Sequence, residues 1–260
     1  MLCAASLSFL SYCSMRDTNP VTGEKQYVAL SPKQEIALGL QALPELEKQY
    51  GGIEGDTRSE AIVDAVGAKL VNSTAAKTTP YKFDFHVLND NKTLNAFALP
   101  GGQVFITSAL LGKLTTEGQL AGVLGHEIGH VIARHGSEHM AKQKLTSGLT
   151  GAAVLATYDP TNPSSRASGA IAQIVGQLVN MKFGRSDELE SDKLGVKFMA
   201  ESGYNPNSMI GVMEILGKEA KRGNTPEFFS THPNPDNRIT KIKDDIKALY
   251  PNGVPQGLKP

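Results

Sequence analysis

The stretch Thr116-Glu117-Gly118-Gln119-Leu120-Ala121-Gly122-Val123-Leu124-Gly125-His126-Glu127-Ile128-Gly129-His130-Val131-Ile132 decides how the chain is read. Thr116 is a favourable N-cap residue with acidic Glu117 behind it, so a helix is expected to run from here toward Met140. Leu120, Val123, Leu124 and Ile128 mark the side of that helix turned to a core. At about 100° per residue, His126 and His130 lie about 40° apart, so both imidazoles reach one ion. Glu127 lies about 100° round from His126, beside the ion, where a carboxylate takes a proton from metal-bound water. The pattern His-Glu-x-x-His thus points to metal-assisted hydrolysis. A solvent-facing helix is the competing reading, and the apolar neighbours count against it.

Composition restricts which ligands are on offer. Among 260 residues the two cysteines are Cys3 and Cys13. The rest of the chain therefore has no disulfide, thiolate ligand or cysteine nucleophile, and a metal must be held by His, Asp or Glu. A catalytic zinc takes three protein ligands and leaves one position to water. Asp187-Glu188-Leu189-Glu190-Ser191-Asp192, on an expected helix over Ser186 to Glu201, offers the third ligand. Glu188 and Asp192 share a face with Gly195 and Met199, whereas Glu190 points about 200° away from Glu188. Two carboxylates on a buried-looking stripe are costly unless they coordinate or hydrogen-bond something. Glu188 as ligand, with Asp192 orienting a ligand histidine, satisfies both; a solvated acidic helix start is the alternative.

The remaining elements read outward from these two helices. Ser31-Pro32-Lys33-Gln34 is a capping box opening a helix toward Tyr50, closed by Gly51-Gly52. Thr57-Arg58-Ser59-Glu60 is a second box, followed by an apolar face of Ile62, Val63, Val66 and Leu70. Tyr81, Phe83, Phe85 and Val87 alternate with Lys82, Asp84 and His86, which predicts a half-buried strand with His86 on its polar face. Asn95 to Leu99 and Gln103 to Thr107 read as two strands joined by a turn at Pro100-Gly101-Gly102. Two uncharged runs, 145–158 and 167–181, are too short and too rich in Gly and Ala to span a bilayer, and predict a buried helical hairpin. Helices are expected again over Asn207 to Lys221 and Pro235 to Leu249. An early sheet among helices indicates the α+β class. On a continuing helix His135 and His139 fall about 180° and 220° from His126, so they are expected to be incidental.

Residues 1–13, Met-Leu-Cys-Ala-Ala-Ser-Leu-Ser-Phe-Leu-Ser-Tyr-Cys, are apolar and uncharged ahead of a polar chain. That suits the apolar region of a signal peptide and predicts export. Leu10-Ser11-Tyr12-Cys13 resembles a bacterial lipobox, with Tyr12 where a small residue is usual, and makes Cys13 a candidate lipid anchor to a membrane. The 26 Lys+Arg balance 26 Asp+Glu. A neutral chain has no basic face, so nucleic acid is excluded as a partner.

Taken with Glu188 and Asp192, the His126–His130 motif resembles the HtpX and CAAX prenyl protease type 1 family of zinc metalloendopeptidases, in its soluble periplasmic BepA-type branch. Asn95-Ala96-Phe97-Ala98-Leu99-Pro100-Gly101-Gly102, His232-Pro233 and Arg238 match the same pattern, so the likeness extends from about Ser31 to Leu249. The resemblance implies a mostly helical, zincin-like domain over 31–250, with a small mixed sheet and one Zn²⁺ per chain. It implies His126, His130 and Glu188 as metal ligands, Glu127 as catalytic base, and Asp192 and Arg238 as their supports. It further implies that His232 approaches the zinc, as a latch or as a catalytic helper, and that Asn95, Ala96 and Phe97 form an edge strand that binds substrate. An edge strand grips an extended peptide through main-chain hydrogen bonds, with little sequence preference. The expected activity is cleavage of unfolded or misassembled envelope proteins. A latched protease serving mainly as an assembly factor for outer-membrane proteins is the alternative, and a structural metal site a third.

Overall fold

The computed structural model describes residues 11–53, 55, 57–147, 174, 176–223, 225–233 and 237–260. Most of the hairpin expected from the two uncharged runs, and residues 1–10 of the leader-like segment, lie outside the described residues. Among the described residues no helix is long and apolar enough to cross a membrane.

Strands β1 (Arg16–Thr18) and β2 (Lys25–Tyr27) form a short antiparallel ribbon that the sequence pattern does not reveal. Helix α1 (Pro32–Gln49) starts at the Ser31–Gln34 capping box and stops at Tyr50, before Gly51-Gly52. Helix α2 (Thr57–Asn72) includes Thr57 as its first residue rather than as its cap. Strands β3 (Asp84–Leu88), β4 (Ala96–Ala98) and β5 (Gln103–Thr107) make a mixed sheet in the order β3-β5-β4. β3 runs parallel to β5 and β4 antiparallel to it, so β4 is an edge. Gly101 and Gly102 turn the β4–β5 connection at φ 95° and 108°, a region open to glycine and strained for other residues. His86 departs from the expected polar face. It is buried, its Nε2 lies 2.8 Å from Gln103 Oε1, and its ring stacks on Phe105. Both faces of this small sheet are covered, so period-two patterning does not separate inside from outside.

Helix α3 (Ser108–Leu111) leads to α4 (Glu117–Ile132), whose N-cap Thr116 accepts from the Gln119 N–H. Leu120 and every following residue of α4 are buried. α2 and β4 pack on part of its surface; α6 (Arg185–Glu201) and α7 (Asn207–Lys221) pack on the rest. A helix enclosed on all sides is apolar all round apart from groups with a task. Leu120, Val123, Leu124 and Ile128 join Val63, Val66, Leu70, Phe85, Val104, Ile106, Val196 and Met209 in one core cluster. Each such side chain gains about 1.5–3 kcal/mol on burial. The short α8 (Phe228–Thr231) and α9 (Arg238–Leu249) complete the layer on the α6 side.

The helix expected to run to Met140 is broken. Arg134 has φ 61°, a left-handed conformation that is uncommon without glycine, and α5 (His135–Ser147) starts immediately after it. The break is held from the amino-terminal part of the chain. Arg134 Nη2 donates to the Leu30 carbonyl, its Nε to Glu35 Oε1 and its Nη1 to Asp17 Oδ2. Asn19 Nδ2 donates to the Ile132 carbonyl and Gln26 Nε2 to the Ala133 carbonyl. Carbonyls at the end of α4 that have no helical partner are thus satisfied by side chains from the β1–β2 region.

α4 and α6 approach through small residues. A Cβ on Gly129 would stand 2.7 Å from Ser191 Oγ and 3.0 Å from the Ser191 carbonyl oxygen. A Cβ on Gly195 would stand 3.1 Å from the His126 nitrogen. Gly217, on α7, has open space at the same position. Gly129→Ala should therefore lower the melting temperature of the metal-free protein, with overpacking costing about 1–3 kcal/mol. Gly217→Ala should raise it, by about 0.5–1 kcal/mol of helix propensity. Thermal unfolding followed by circular dichroism checks both signs; equal shifts would refute the close-packed helix pair.

Candidate metal centre

The tight α4–α6 contact sets two helical faces opposite one another. α4 contributes His126, Glu127 and His130; α6 contributes Glu188 and Asp192, one turn apart; the residue that ends α8 contributes His232. Ser191 Oγ donates to the His126 carbonyl at 2.5 Å and pins the two helices in register. His126, His130, Glu188 and His232 are all buried, and one donor atom from each lies within 4.8 Å of the others.

His126 Nε2 is 3.0 Å from His130 Nε2 and 3.3 Å from His232 Nδ1. Glu188 Oε1 is 3.0 Å from His232 Nδ1 and 3.3 Å from His130 Nε2. Four ligands bonded at about 2.0–2.1 Å in a tetrahedron stand about 3.3 Å apart, so these separations fit a zinc-sized ion. Charge gives a second test of fit. Glu127, Glu188 and Asp192 are three carboxylates with little or no exposure, and among the described residues Arg238 is the one buried arginine beside them. Buried carboxylates in excess of the one arginine favour a further cation among them, as buried charges require.

The surrounding groups orient the donors. Asp192 Oδ1 is 2.9 Å from His126 Nδ1, so His126 donates there and keeps Nε2 free for the centre. Arg238 grips Asp192 through Nε at 2.7 Å and Nη2 at 2.8 Å, and its Nη1 lies 2.9 Å from Glu188 Oε2. Burial disfavours the Asp192 anion, but Arg238 outweighs it and holds the carboxyl below its ordinary pKa. Glu188 is held well below its own for the same reason, burial being outweighed by His232, His130 and His126. Burial pushes His130 well down, which favours the neutral imidazole that a metal requires.

Glu127 is different. Among the described residues neither carboxylate oxygen has a hydrogen-bond partner, Oε1 lies 3.7 Å from His232 Nε2, and burial raises the pKa. A buried carboxylate with no fixed partner next to a metal-sized cluster is placed to exchange protons.

Asn95, Ala96 and Phe97 lie at the start of edge strand β4, which packs against α4, and all three side chains are buried. The Phe228 N–H donates to the Leu94 carbonyl, so the α8 segment carrying His232 is tied to that strand. Phe228 also stacks on the His232 ring.

His135 and His139 both lie outside the four-donor cluster, as their helical positions predict, but His135 touches one of its members. His135 Nδ1 is 2.8 Å from His130 Nδ1, and His139 Nε2 is 2.7 Å from Asp187 Oδ2. Extrapolating one helix through Arg134 hid the first contact, because the chain reverses its phase there. Phe183, stacked on His130 with centroids 4.1 Å apart, is a second neighbour without a sequence signal.

Known proteins similar to this chain are peptidases. The beta-barrel assembly-enhancing protease of Yersinia pestis is 30% identical over 241 residues, covering 91% of this chain and 49% of that protein. The same-named protein of Escherichia coli strain K12 is 29% identical over 247 residues, 93% of this chain and 50% of its own length. The mitochondrial metalloendopeptidase OMA1 of Saccharomyces cerevisiae is 30% identical over 258 residues, 90% of this chain and 70% of its own. The chain spans about half the length of the bacterial relatives it matches. Residues 57–246 match peptidase family M48 across the sheet, both metal-facing helices and the His232 segment, and the chain belongs to that family.

Proposed function

We propose that the chain is a zinc-dependent metalloendopeptidase that cleaves unfolded or misassembled proteins of the cell envelope, with residues 31–250 forming one peptidase domain. The observation that carries the reading is the cluster of four buried donor atoms at tetrahedral spacing with the unpartnered Glu127 carboxylate beside it. His126, His130 and Glu188 hold the ion. Bound there, zinc supplies a lowered pKa for water and polarisation of the scissile carbonyl. Glu127 takes the proton from the attacking water and delivers it to the leaving amine. Asp192 keeps His126 in the right tautomer, Arg238 keeps Asp192 ionised, and its Nη1 pairs with Glu188. Asn95, Ala96 and Phe97 offer the outer edge of β4 to an extended substrate backbone.

His232 supports a second reading of the same site. Its Nδ1 lies 3.0 Å from Glu188 Oε1 and 3.3 Å from His126 Nε2, so it would be a fourth donor to an ion held there, which supports a latched enzyme over a permanently open one. A latched protease doubling as an assembly factor for outer-membrane proteins is also in keeping with the names of the bacterial relatives. The periplasm is the proposed location, reached through the leader-like residues 1–13, with the exposed Cys13 as lipid anchor.

Glu127→Gln should retain zinc, measured by metal analysis, while casein cleavage falls about 10²–10⁴-fold. Undiminished cleavage would remove Glu127 from the mechanism. His232→Ala should increase casein cleavage several-fold at unchanged zinc content if the side chain is a latch. A loss of activity at unchanged zinc content would make it a catalytic helper instead.

A further inference from the structure

His135 lies outside the four-donor cluster, is 1% exposed, and uses both ring nitrogens. Its Nδ1 faces His130 Nδ1 at 2.8 Å and its Nε2 faces Glu190 Oε2 at 3.1 Å. The chemistry of these contacts fixes the protons. A carboxylate only accepts, so His135 carries its proton on Nε2 and donates it to Glu190. With its Nε2 proton turned to Glu190, His135 presents Nδ1 to His130 Nδ1, where it accepts in the tautomer that leaves His130 Nε2 to the cluster. In that tautomer His130 carries its proton on Nδ1. The left-handed Arg134 between α4 and α5 is what turns His135 back toward His130. Such strain in a non-glycine residue persists where the surroundings enforce it, frequently beside a functional site.

We propose that His135 is a positioning residue: the relay from Glu190 through His135 to His130 fixes the metal-binding tautomer of His130 and sets the affinity of the centre. The inference rests on the metal-site reading above. The two histidine ligands are then oriented differently. His126 is held directly by the buried, Arg238-locked Asp192, whereas His130 is held through the His135 ring by a carboxylate that is 24% exposed. Removal of an outer hydrogen-bond partner of a ligand histidine typically weakens metal affinity 10–100-fold.

The test compares wild type, His135→Phe, His135→Asn, Glu190→Leu and His126→Ala by competition for zinc with a chromophoric chelator. Melting of the metal-free proteins confirms folding. His135→Phe should bind zinc about 10–100-fold more weakly than wild type. His135→Asn, whose side-chain oxygen stands close to the former Nδ1, should recover most of that loss. Glu190→Leu, at a partly exposed position, should fall between them and carries the test if His135→Phe does not fold. In the zinc-loaded protein with isotope-labelled histidine, the nitrogen–proton spectrum should show the His130 proton on Nδ1, and this signature should change in His135→Phe. Wild-type affinity in both His135→Phe and Glu190→Leu would overturn the proposal, as would an Asn variant as weak as the Phe variant, which would reduce His135 to packing. Wild type binding zinc no better than His126→Ala would overturn the metal site itself, and the relay with it.

Discussion

The close approach of α4 and α6 is the constraint on which the rest of the structure depends. Two histidines one turn apart on a helix are common and bind a metal weakly by themselves; a third ligand must come from another element at a fixed distance. Gly129 and Gly195 let the two backbones meet with almost no side-chain volume between them, and Ser191 closes the contact with a hydrogen bond to the His126 carbonyl. Side chains on the facing turns then have no freedom to miss one another. Glu188 arrives at His130 and Asp192 at His126 because they are one turn apart on a helix packed in that register. Site precision here is a consequence of core packing, in which small residues are as decisive as the ligands.

Burial gives the centre its chemistry and also its cost. Three carboxylates out of water, with one arginine among them, are unfavourable unless further positive charge is brought in. The arrangement divides the negative groups by their surroundings. Asp192 and Glu188 are covered by Arg238 and the histidines and are held as anions, whereas Glu127 is given no partner and its pKa rises. Carboxyl groups in one buried cluster are thereby given opposite leanings, two toward the anion and one toward the proton.

Much of this is legible in the sequence, for identifiable reasons. The His126–His130 spacing, the Glu188–Asp192 spacing, the Ser31 capping box and the glycine turn after β4 are local patterns, and local geometry follows from them directly. His86 and His135 mark where local reading ends. His86 sits on a strand covered on both faces, so alternation does not tell its inside from its outside. His135 follows Arg134, whose left-handed backbone depends on Leu30, Glu35 and Asp17, residues roughly a hundred positions earlier. Helical phase carried through that break sends His135 to the wrong side. Nothing near Arg134 in sequence announces the turn, because the groups that compel it are tertiary contacts.

The supports around the centre are unequal, and the inequality bears on how it works. His126, His130 and Glu188 stand on two long helices that share a close-packed core. The carboxyl end of α4 is further clamped by Asn19, Gln26 and Arg134. His232 stands at the end of a four-residue helix, held by Phe228 stacking, by the Phe228 bond to Leu94, and by the Phe183 N–H donating to the Thr231 carbonyl. Moving any of the first three donors means disrupting the α4–α6 core. Displacing His232 means giving up its contacts to Glu188 and His126 and its ring contacts with Phe228, Phe183, His126 and His130, but it leaves the α4–α6 packing itself in place. The fourth donor is thus the one held from outside the α4–α6 core, by a short helix tied to β4.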